Sequence, residues 1–455
     1  MQTTIKINSL SSSGEGVGSN EGLKVFVEGA LPTEKVSISL TERKKTYAKG
    51  KLLSIIDPSK DRIDPICPHF DRCGGCQLMH LNYDAQLLWK RQKVVDALTR
   101  VGHFKNPLVL PCLPSPQKLG YRNKIQLPIL WEKNSKRIGL FQKKSHEIIP
   151  FENCLIQCRE GGEILSLITD RLTHRSVRYV LIRNALFNKE AMVIFVTDGR
   201  EFNELKKLAH QLIDLHPQIK GVVENINRRE DNTILTNHFR LLAGHSYIYE
   251  RLLGKRFKIS AGSFFQINSA QTEHLYQHAL TLAKIQPHER VLDAFCGVGT
   301  LALFAADYAK EVVGVECSAS AIANARENAR LNGVDNSHFY RGQAEVVISR
   351  LDPFDTVFLN PPRKGCSPKL LATLCQTKPK KIIYLSCQPA TLARDLAILA
   401  PFYRINTIQP FDMFPQTMHL ETVVELIDSS YANNAVKGVS EEGKIQVSRG
   451  SPTTC

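Results

Sequence analysis

The stretch Val291-Leu-Asp-Ala-Phe-Cys-Gly-Val-Gly-Thr300 reads as a buried strand running into a glycine loop and then a helix. Gly297 and Gly299 let the backbone approach a ligand where any β-carbon would obstruct it. A lone Gly-x-Gly says little, but this one has the strand–loop–helix context. Glu316 then closes the following strand, where a carboxylate can bind ribose hydroxyls. The third glycine of a dinucleotide fingerprint is missing, because Ala302 follows Thr300 and Leu301. Asp293 adds negative charge where a pyrophosphate would sit. Together these features favour a ligand without phosphates and with a cationic centre, as in S-adenosylmethionine.

Outward from that stretch the pattern alternates strand and helix. Residues 312–316, 356–359, 382–386 and 422–427 read as strands, and 300–308 and 319–331 as helices. This is the signature of an α/β fold with a doubly wound parallel sheet over 259–430. One strand runs into Asn360-Pro-Pro-Arg363, a rigid polar edge at the sheet's carboxyl end, where ligands bind in such folds. Another runs into Ser386-Cys387-Gln388-Pro389. An isolated cysteine is more often a buried structural thiol, but one at a strand's carboxyl end is placed to act as a nucleophile. Glu421 begins the last strand and is the carboxylate candidate for a general base. His419 is a weaker one, expected at the surface.

Upstream, residues 1–60 hold short β-rich runs punctuated by Gly, Ser and Pro, and predict a small β barrel. The basic stretch 43–49 is placed on one of its loops, either solvated or contacting phosphate. Residues 61–258 read as a central α+β domain. It includes a helix over 83–101 with Leu87, Leu88, Val94, Val95 and Leu98 at helical spacing. Cys67, Cys73 and Cys76 crowd three thiols into ten residues, which points to zinc or an iron–sulfur centre. The fourth ligand must come from further along the chain. Cys154 is the choice, with Cys158 and Cys112 as alternatives. Residues 431–455 are polar and without periodicity, and are expected to be a disordered tail.

The 455 residues carry a net charge of +15, which attracts polyanions, most often RNA or DNA. No apolar run approaches the roughly 18–20 residues that span a bilayer, and the start lacks a secretory pattern. Twelve cysteines without an export signal fit a reducing compartment, so a cytoplasmic location with no membrane partner is expected. Oligomeric state is not legible.

Taken together these residues resemble the uridine-C5 RNA methyltransferases, in particular the iron–sulfur type acting on ribosomal RNA. Val25-Phe-Val-Glu-Gly-Ala-Leu-Pro32 looks like part of a TRAM domain, an RNA-binding β barrel, and Ser260-Ala-Gly-Ser-Phe-Phe-Gln-Ile-Asn268 like the entry to the catalytic domain. The resemblance implies a class I (Rossmann-like) methyltransferase sheet. It implies S-adenosylmethionine held by Gln266, Phe295, Glu316 and Asn360, with Gln343 as an addition. It implies Cys387 as nucleophile, Glu421 as general base, and a 4Fe–4S cluster on Cys67, Cys73, Cys76 and Cys154. Some family members have Asp where Asn360 stands; Asn keeps the shape and removes a charge. Structured RNA is the implied partner, ribosomal RNA first and transfer RNA second, with the target base in a loop or flipped out.

The chemistry explains why a nucleophile is needed. Carbon 5 of uracil is a poor nucleophile until a thiolate adds to carbon 6 and makes an enolate. A base must then take the carbon-5 proton so that the thiol can leave. Two other classes compete. A nitrogen-directed methyltransferase uses Asn-Pro-Pro followed by an aromatic residue, a place held here by Arg363, and needs no covalent cysteine. A non-catalytic RNA-binding protein would not need the glycine loop, Cys387 and Glu421 together.

Overall fold

The computed structural model describes residues 2–200 and 202–430; the expected tail, 431–455, lies outside the described residues. At the start the chain alternates strictly. In β1 (Gln2–Leu10), Ile5 and Ile7 are buried while Thr4 and Lys6 are exposed, the period of a half-buried strand. With β2 (Gly16–Asn20), β3 (Leu23–Val27), β4 (Lys35–Arg43) and β5 (Tyr47–Asp57) it closes a barrel in the order β1-β2-β3-β5-β4. Val25, Val27, Val36, Ile38 and Ala48 fill it. The basic stretch is less of a loop than expected. Residues 47–49 already belong to β5, and Lys44 and Lys49 both pair with Glu42 at 3.2 and 2.7 Å.

Helix α1 (Tyr83–Arg100) starts where Asn82 accepts the Ala85 N–H. Its buried face corrects the apolar reading: Gln86, Lys90, Val94 and Leu98 are buried, and Leu88 is 69% exposed.

The central sheet comprises β6 (Lys124–Trp131), β7 (Lys136–Phe141), β8 (Ile148–Pro150), β9 (Tyr179–Ala185), β10 (Glu190–Thr197), β11 (Ile219–Ile226) and β12 (Phe239–Gly244). Its order is β12-β11-β10-β9-β6-β7-β8, and only β10 and β11 run parallel. Helices α2 (Arg159–Arg171) and α3 (Phe202–Leu215) cover one face through Ile164, Ile168, Leu208 and Leu212. On the other face Leu181, Met192, Ile194 and Val196 join a core shared with the last part of the chain. Burial on both faces is why β9 and β10 read as almost unbroken apolar runs. The hairpin of β13 (Tyr247–Leu252) and β14 (Lys255–Ser260) bridges the two through Ile248, Phe257 and Ile259.

The last part holds α4 (Ser269–Ala283), β15 (Arg290–Asp293), α5 (Thr300–Ala305), β16 (Glu311–Glu316), α6 (Ala319–Leu331), β17 (Ser337–Arg341) and α7 (Ala344–Val347). There follow β18 (Thr356–Leu359), α8 (Pro368–Thr377), β19 (Lys381–Ser386), α9 (Pro389–Leu399), β20 (Tyr403–Phe411) and β21 (Glu421–Asp428). The sheet order is β17-β16-β15-β18-β19-β21-β20. Strands β15 to β19 are parallel to their neighbours among β15–β19, but β21 is antiparallel to both β19 and β20, which departs from the all-parallel expectation. Strand order reverses between β15 and β18, the place where open α/β sheets bind ligands. Helix α1, read from sequence as part of the central domain, packs instead against α9 and β20, with Val94 and Leu98 in one core with Leu392 and Leu396. Among the described residues no helix is long and apolar enough to cross a membrane.

Candidate active site

Gly297 and Gly299 sit at φ +55° and +85°, in the left-handed region that glycine adopts without steric cost. The loop they form borders a cleft lined by Gln266, Tyr276, Asp293, Phe295 and Asn360, among others. Gln266 arrives on the segment after β14, which is anchored where the Asn123 side chain donates to the Gln266 carbonyl at 2.9 Å. Asn360 arrives at the carboxyl end of β18. Glu316 stands at the end of β16, half-buried, beside the cleft rather than lining it, and one of its carboxylate oxygens accepts the Ser318 N–H at 2.9 Å. Gln343 is exposed, next to Gly342, whose N–H bonds the Glu316 carbonyl at 3.0 Å.

Asp293 differs from the fixed negative charge expected of it. It is buried, and desolvation pushes its carboxyl up to about 7, with Glu316 adding in the same direction. The backbone N–H groups of Phe295 and Ala302 oppose that shift, so Asp293 ties the glycine loop to the start of α5. Among the described residues its Oδ1 has no hydrogen-bond partner.

The second half of the site follows from the antiparallel strand. Ser386 of β19 pairs with Thr422 of β21, so Cys387, one residue past β19, and Glu421, the first residue of β21, meet at the same sheet edge. Cys387 is half-buried, and its thiol is pushed up to about 11, first by burial and then by Glu421. Glu421 is buried, which pushes its carboxyl up to about 8. Arg363 opposes both shifts and hydrogen-bonds Cys387. Sequence reading had noted Arg363 only for the aromatic residue it replaces. Its place after two prolines at a strand end was the available signal.

The loop 412–420, which leads into Glu421, is gripped from outside the sheet. Lys90 donates to Asp412 at 2.5 Å and to the Phe414 carbonyl at 3.1 Å, and Lys93 to the Met418 carbonyl at 2.7 Å. Gln86 and Gln416 exchange two bonds, at 3.0 and 3.1 Å, and the Gln77 and Leu78 N–H groups reach the Gln416 carbonyl. Residues 86, 90 and 93 are one helix face at i, i+4 and i+7. His419 is not the surface residue expected. It is half-buried and held down to about 4 by burial and by Arg363, Lys93, Lys90 and Arg122. That makes it a neutral group beside Cys387's partners.

A protein-family profile described as tRNA (Uracil-5-)-methyltransferase matches residues 82–429, and the TRAM domain profile matches residues 2–53. The chain belongs to the RNA uracil-5-methyltransferase family. An uncharacterized RNA methyltransferase of Halalkalibacterium halodurans is 38% identical over 439 residues, covering 93% of this chain and 96% of its own. Another from Clostridium acetobutylicum is 39% identical over 439 residues, covering 92% and 95%. Among solved structures, the Pyrococcus abyssi tRNA (uracil-54, C5)-methyltransferase in complex with S-adenosyl-L-homocysteine has a TM-score of 0.72 and 29% identity. That match covers 94% of this chain and all of that one. The opening barrel of this uracil-5-methyltransferase is therefore a TRAM domain, and its last sheet a class I methyltransferase sheet.

The cysteine segment of this methyltransferase folds against its central sheet. Cys67, Cys76 and Cys154 pack beside Phe70, Met79, Tyr121 and Ile156, and Cys73 faces Cys76. Burial raises Cys76 to about 12, and Cys154, Cys73 and Cys67 add to that rise in turn while Arg122 opposes it. All four are free thiols. The alternatives lie elsewhere. Cys112 faces Asp412, and Cys158 caps α2 beside the Gln157 side chain. Among the described residues no group of three or more His, Cys, Asp or Glu side chains is arranged to hold a metal ion.

Proposed function

We propose that this chain methylates carbon 5 of a uridine in RNA, with S-adenosylmethionine as donor, Cys387 as nucleophile and Glu421 as general base. The observation that carries this reading is the pairing of Ser386 with Thr422, which sets thiol and carboxyl side by side at the edge shared with the glycine loop. The cofactor cleft, lined by Gln266, Phe295 and Asn360 with Glu316 beside it, is apolar enough for a ring and polar enough to orient one. When bound, S-adenosylmethionine supplies the electrophilic methyl group.

The protein's residues do the rest. Cys387 is a neutral thiol at rest, so it reacts from its ionised fraction, the thiol proton passing to solvent before sulfur bonds carbon 6. Arg363 favours the thiolate by holding positive charge against it. The electron pair of the broken carbon 5–carbon 6 π bond is held as the enolate and forms the new carbon–methyl bond as the donor's sulfur–methyl bond breaks and its thioether leaves with that bond's electrons. Glu421 acts from its ionised form, a stronger base than an ordinary carboxylate because its carboxyl titrates near 8; it takes the carbon-5 proton, the carbon 5–carbon 6 double bond re-forms and the thiolate leaves. Burial of Glu421 keeps it a strong enough base for that step.

Cys67, Cys76 and Cys154 share an apolar cluster, Cys73 faces Cys76, and the four thiols have the donor chemistry of a thiolate-held centre, so a 4Fe–4S cluster on them is our reading. There it would cross-link the segment 67–76 to residue 154. The substrate that the family resemblance implies is large-subunit ribosomal RNA. The transfer-RNA enzyme of Pyrococcus abyssi, similar over nearly the whole chain, supports transfer RNA as a second reading.

Incubation with 5-fluorouridine-substituted ribosomal and transfer RNA transcripts tests the reading. Fluorine cannot leave as a proton, so mass spectrometry is expected to find a methylated Cys387–RNA adduct with one of the two. Cofactor binding without any adduct would overturn the covalent mechanism.

A further inference from the structure

We infer that Lys93, Arg363 and His419 form a binding site for a phosphate of the RNA backbone beside the target uridine. Lys93 projects from α1 over the Trp89 ring, and its ammonium meets the neutral Met418 carbonyl at 2.7 Å. The charges that face it are Lys90 and Arg363, both positive. Around His419 stand Arg363, Lys93, Lys90 and Arg122. Of these, Lys90 is neutralised by Asp412. Glu421, a carboxylate that faces Arg363, is buried and holds its proton up to about pH 8. The result is a cluster with an excess of cations, Lys93 half-buried and Arg363 exposed, around a half-buried neutral imidazole.

Crowding like charges out of water costs free energy that an anion returns. Burial, then Lys90 and Arg363, lower the Lys93 ammonium to about 8, which is that cost expressed on one group. The inference rests on the family's RNA substrate and on Cys387 marking where the base sits. The carboxylate of the methyl donor is the competing anion. Asn360 lines the donor cleft, whereas Arg363, three residues on, turns to Cys387, so the cations gather on the side of the nucleophile. A base held over Cys387 must bring its own phosphates to that side, and a nucleotide flipped from a helix exposes them. Lys93 and Arg363 supply the charge, and a neutral His419 can donate an N–H to a phosphate oxygen.

The test is Lys93→Gln in the full chain, with ribosomal and transfer RNA transcripts as probes and salt as the variable. Loss of one phosphate contact is expected to weaken RNA binding about tenfold near 0.1 M salt and to reduce the log–log salt slope by about 0.7 to 0.9. Lys93→Arg should restore both, and S-adenosylhomocysteine affinity should stay at the wild-type value. Unchanged RNA affinity overturns the site. Weaker binding with an unchanged slope also overturns it, because Lys93 would then act only by holding the Met418 carbonyl. Loss of S-adenosylhomocysteine affinity with RNA binding intact would assign the cations to the donor's carboxylate instead. Failure of the covalent reading would show separately, as a missing Cys387 adduct in the wild type.

Discussion

Lys90 on α1 and Asp412 in the loop before β21 form an ion pair with no exposed surface on either side chain. Two segments more than three hundred residues apart in sequence are thus locked together at the approach to Glu421. Removing one partner leaves an uncompensated buried charge. Lys90→Met should therefore cost about 3–5 kcal/mol in denaturant unfolding. Because the loop leads to Glu421, the rate of adduct breakdown should fall more than the affinity for RNA. Stability equal to wild type would show that the pair holds nothing.

Glu421→Gln removes the base without removing bulk. Methyl transfer should still occur once per enzyme, and the methylated RNA should remain attached to Cys387. Denaturing gels with radiolabelled methyl donor would show the retained complex. Release of methylated RNA at the wild-type rate would assign the proton transfer to another group.

Glu421 also sets a pH dependence. Its carboxyl titrates near 8 in the fold against an ordinary value of 4.5. The base form therefore grows as pH rises, and turnover should climb through about pH 8. Stability runs the other way. The native state keeps a proton that the unfolded chain loses, so the contribution is whole below about 4.5 and gone above about 8. Glu421→Gln should flatten both profiles, and thermal melts at pH 5 and pH 9 would check the second.

The glycine at 314, inside β16, matters as much as the glycine loop. A β-carbon there would lie 2.5 Å from the Phe339 ring and 3.0 Å from the Cys296 sulfur, directly beneath the loop. At Gly297 a β-carbon meets nothing within 4 Å, and only the positive φ is strained, worth about 1–2 kcal/mol. Gly314→Ala is expected to lower S-adenosylhomocysteine affinity more than Gly297→Ala. Calorimetric titration of the two variants decides it, and equal affinities would refute the argument.

The cysteines divide by position. Cys76→Ser should abolish any iron retained by anaerobically purified protein, measured by elemental analysis and visible absorbance. Cys158→Ser should keep it, because Cys158 caps α2, where serine is a preferred residue. Iron equally retained in both variants would exclude Cys76 from the site.

Much of the sheet was legible because its strands are short apolar runs closed by glycine, proline or asparagine. Residues 319–331 were read as a helix, and Ala319–Leu331 is one. Strands β17 and β20 escaped notice. In the first, His338, Tyr340 and Arg341 are exposed around a buried Phe339; in the second, Arg404 and Asn406 are exposed and the buried run 408–411 includes Gln409 and Pro410, so neither reads as an unbroken apolar strand. The helix over 83–101 was located correctly, and Val94 and Leu98 lie on its buried face, but hydrophobic spacing cannot anticipate that Gln86 and Lys90 are buried with them to hold a distant loop while Leu88 is exposed.

By itself the sequence determined the barrel, the glycine loop, the cysteine segment and the identities of Cys387 and Glu421 as candidates, since each is a local pattern of residue type and spacing. Only the tertiary structure decided that they converge. Strand β21 enters antiparallel beside β19, which carries Glu421 to the edge where parallel strands end, and no local pattern encodes strand direction. Burial decided the rest. It brought Asp293 to about 7 and Glu421 to about 8, and it set Arg363 and Lys93 around His419, because a charge's cost depends on what surrounds it in space.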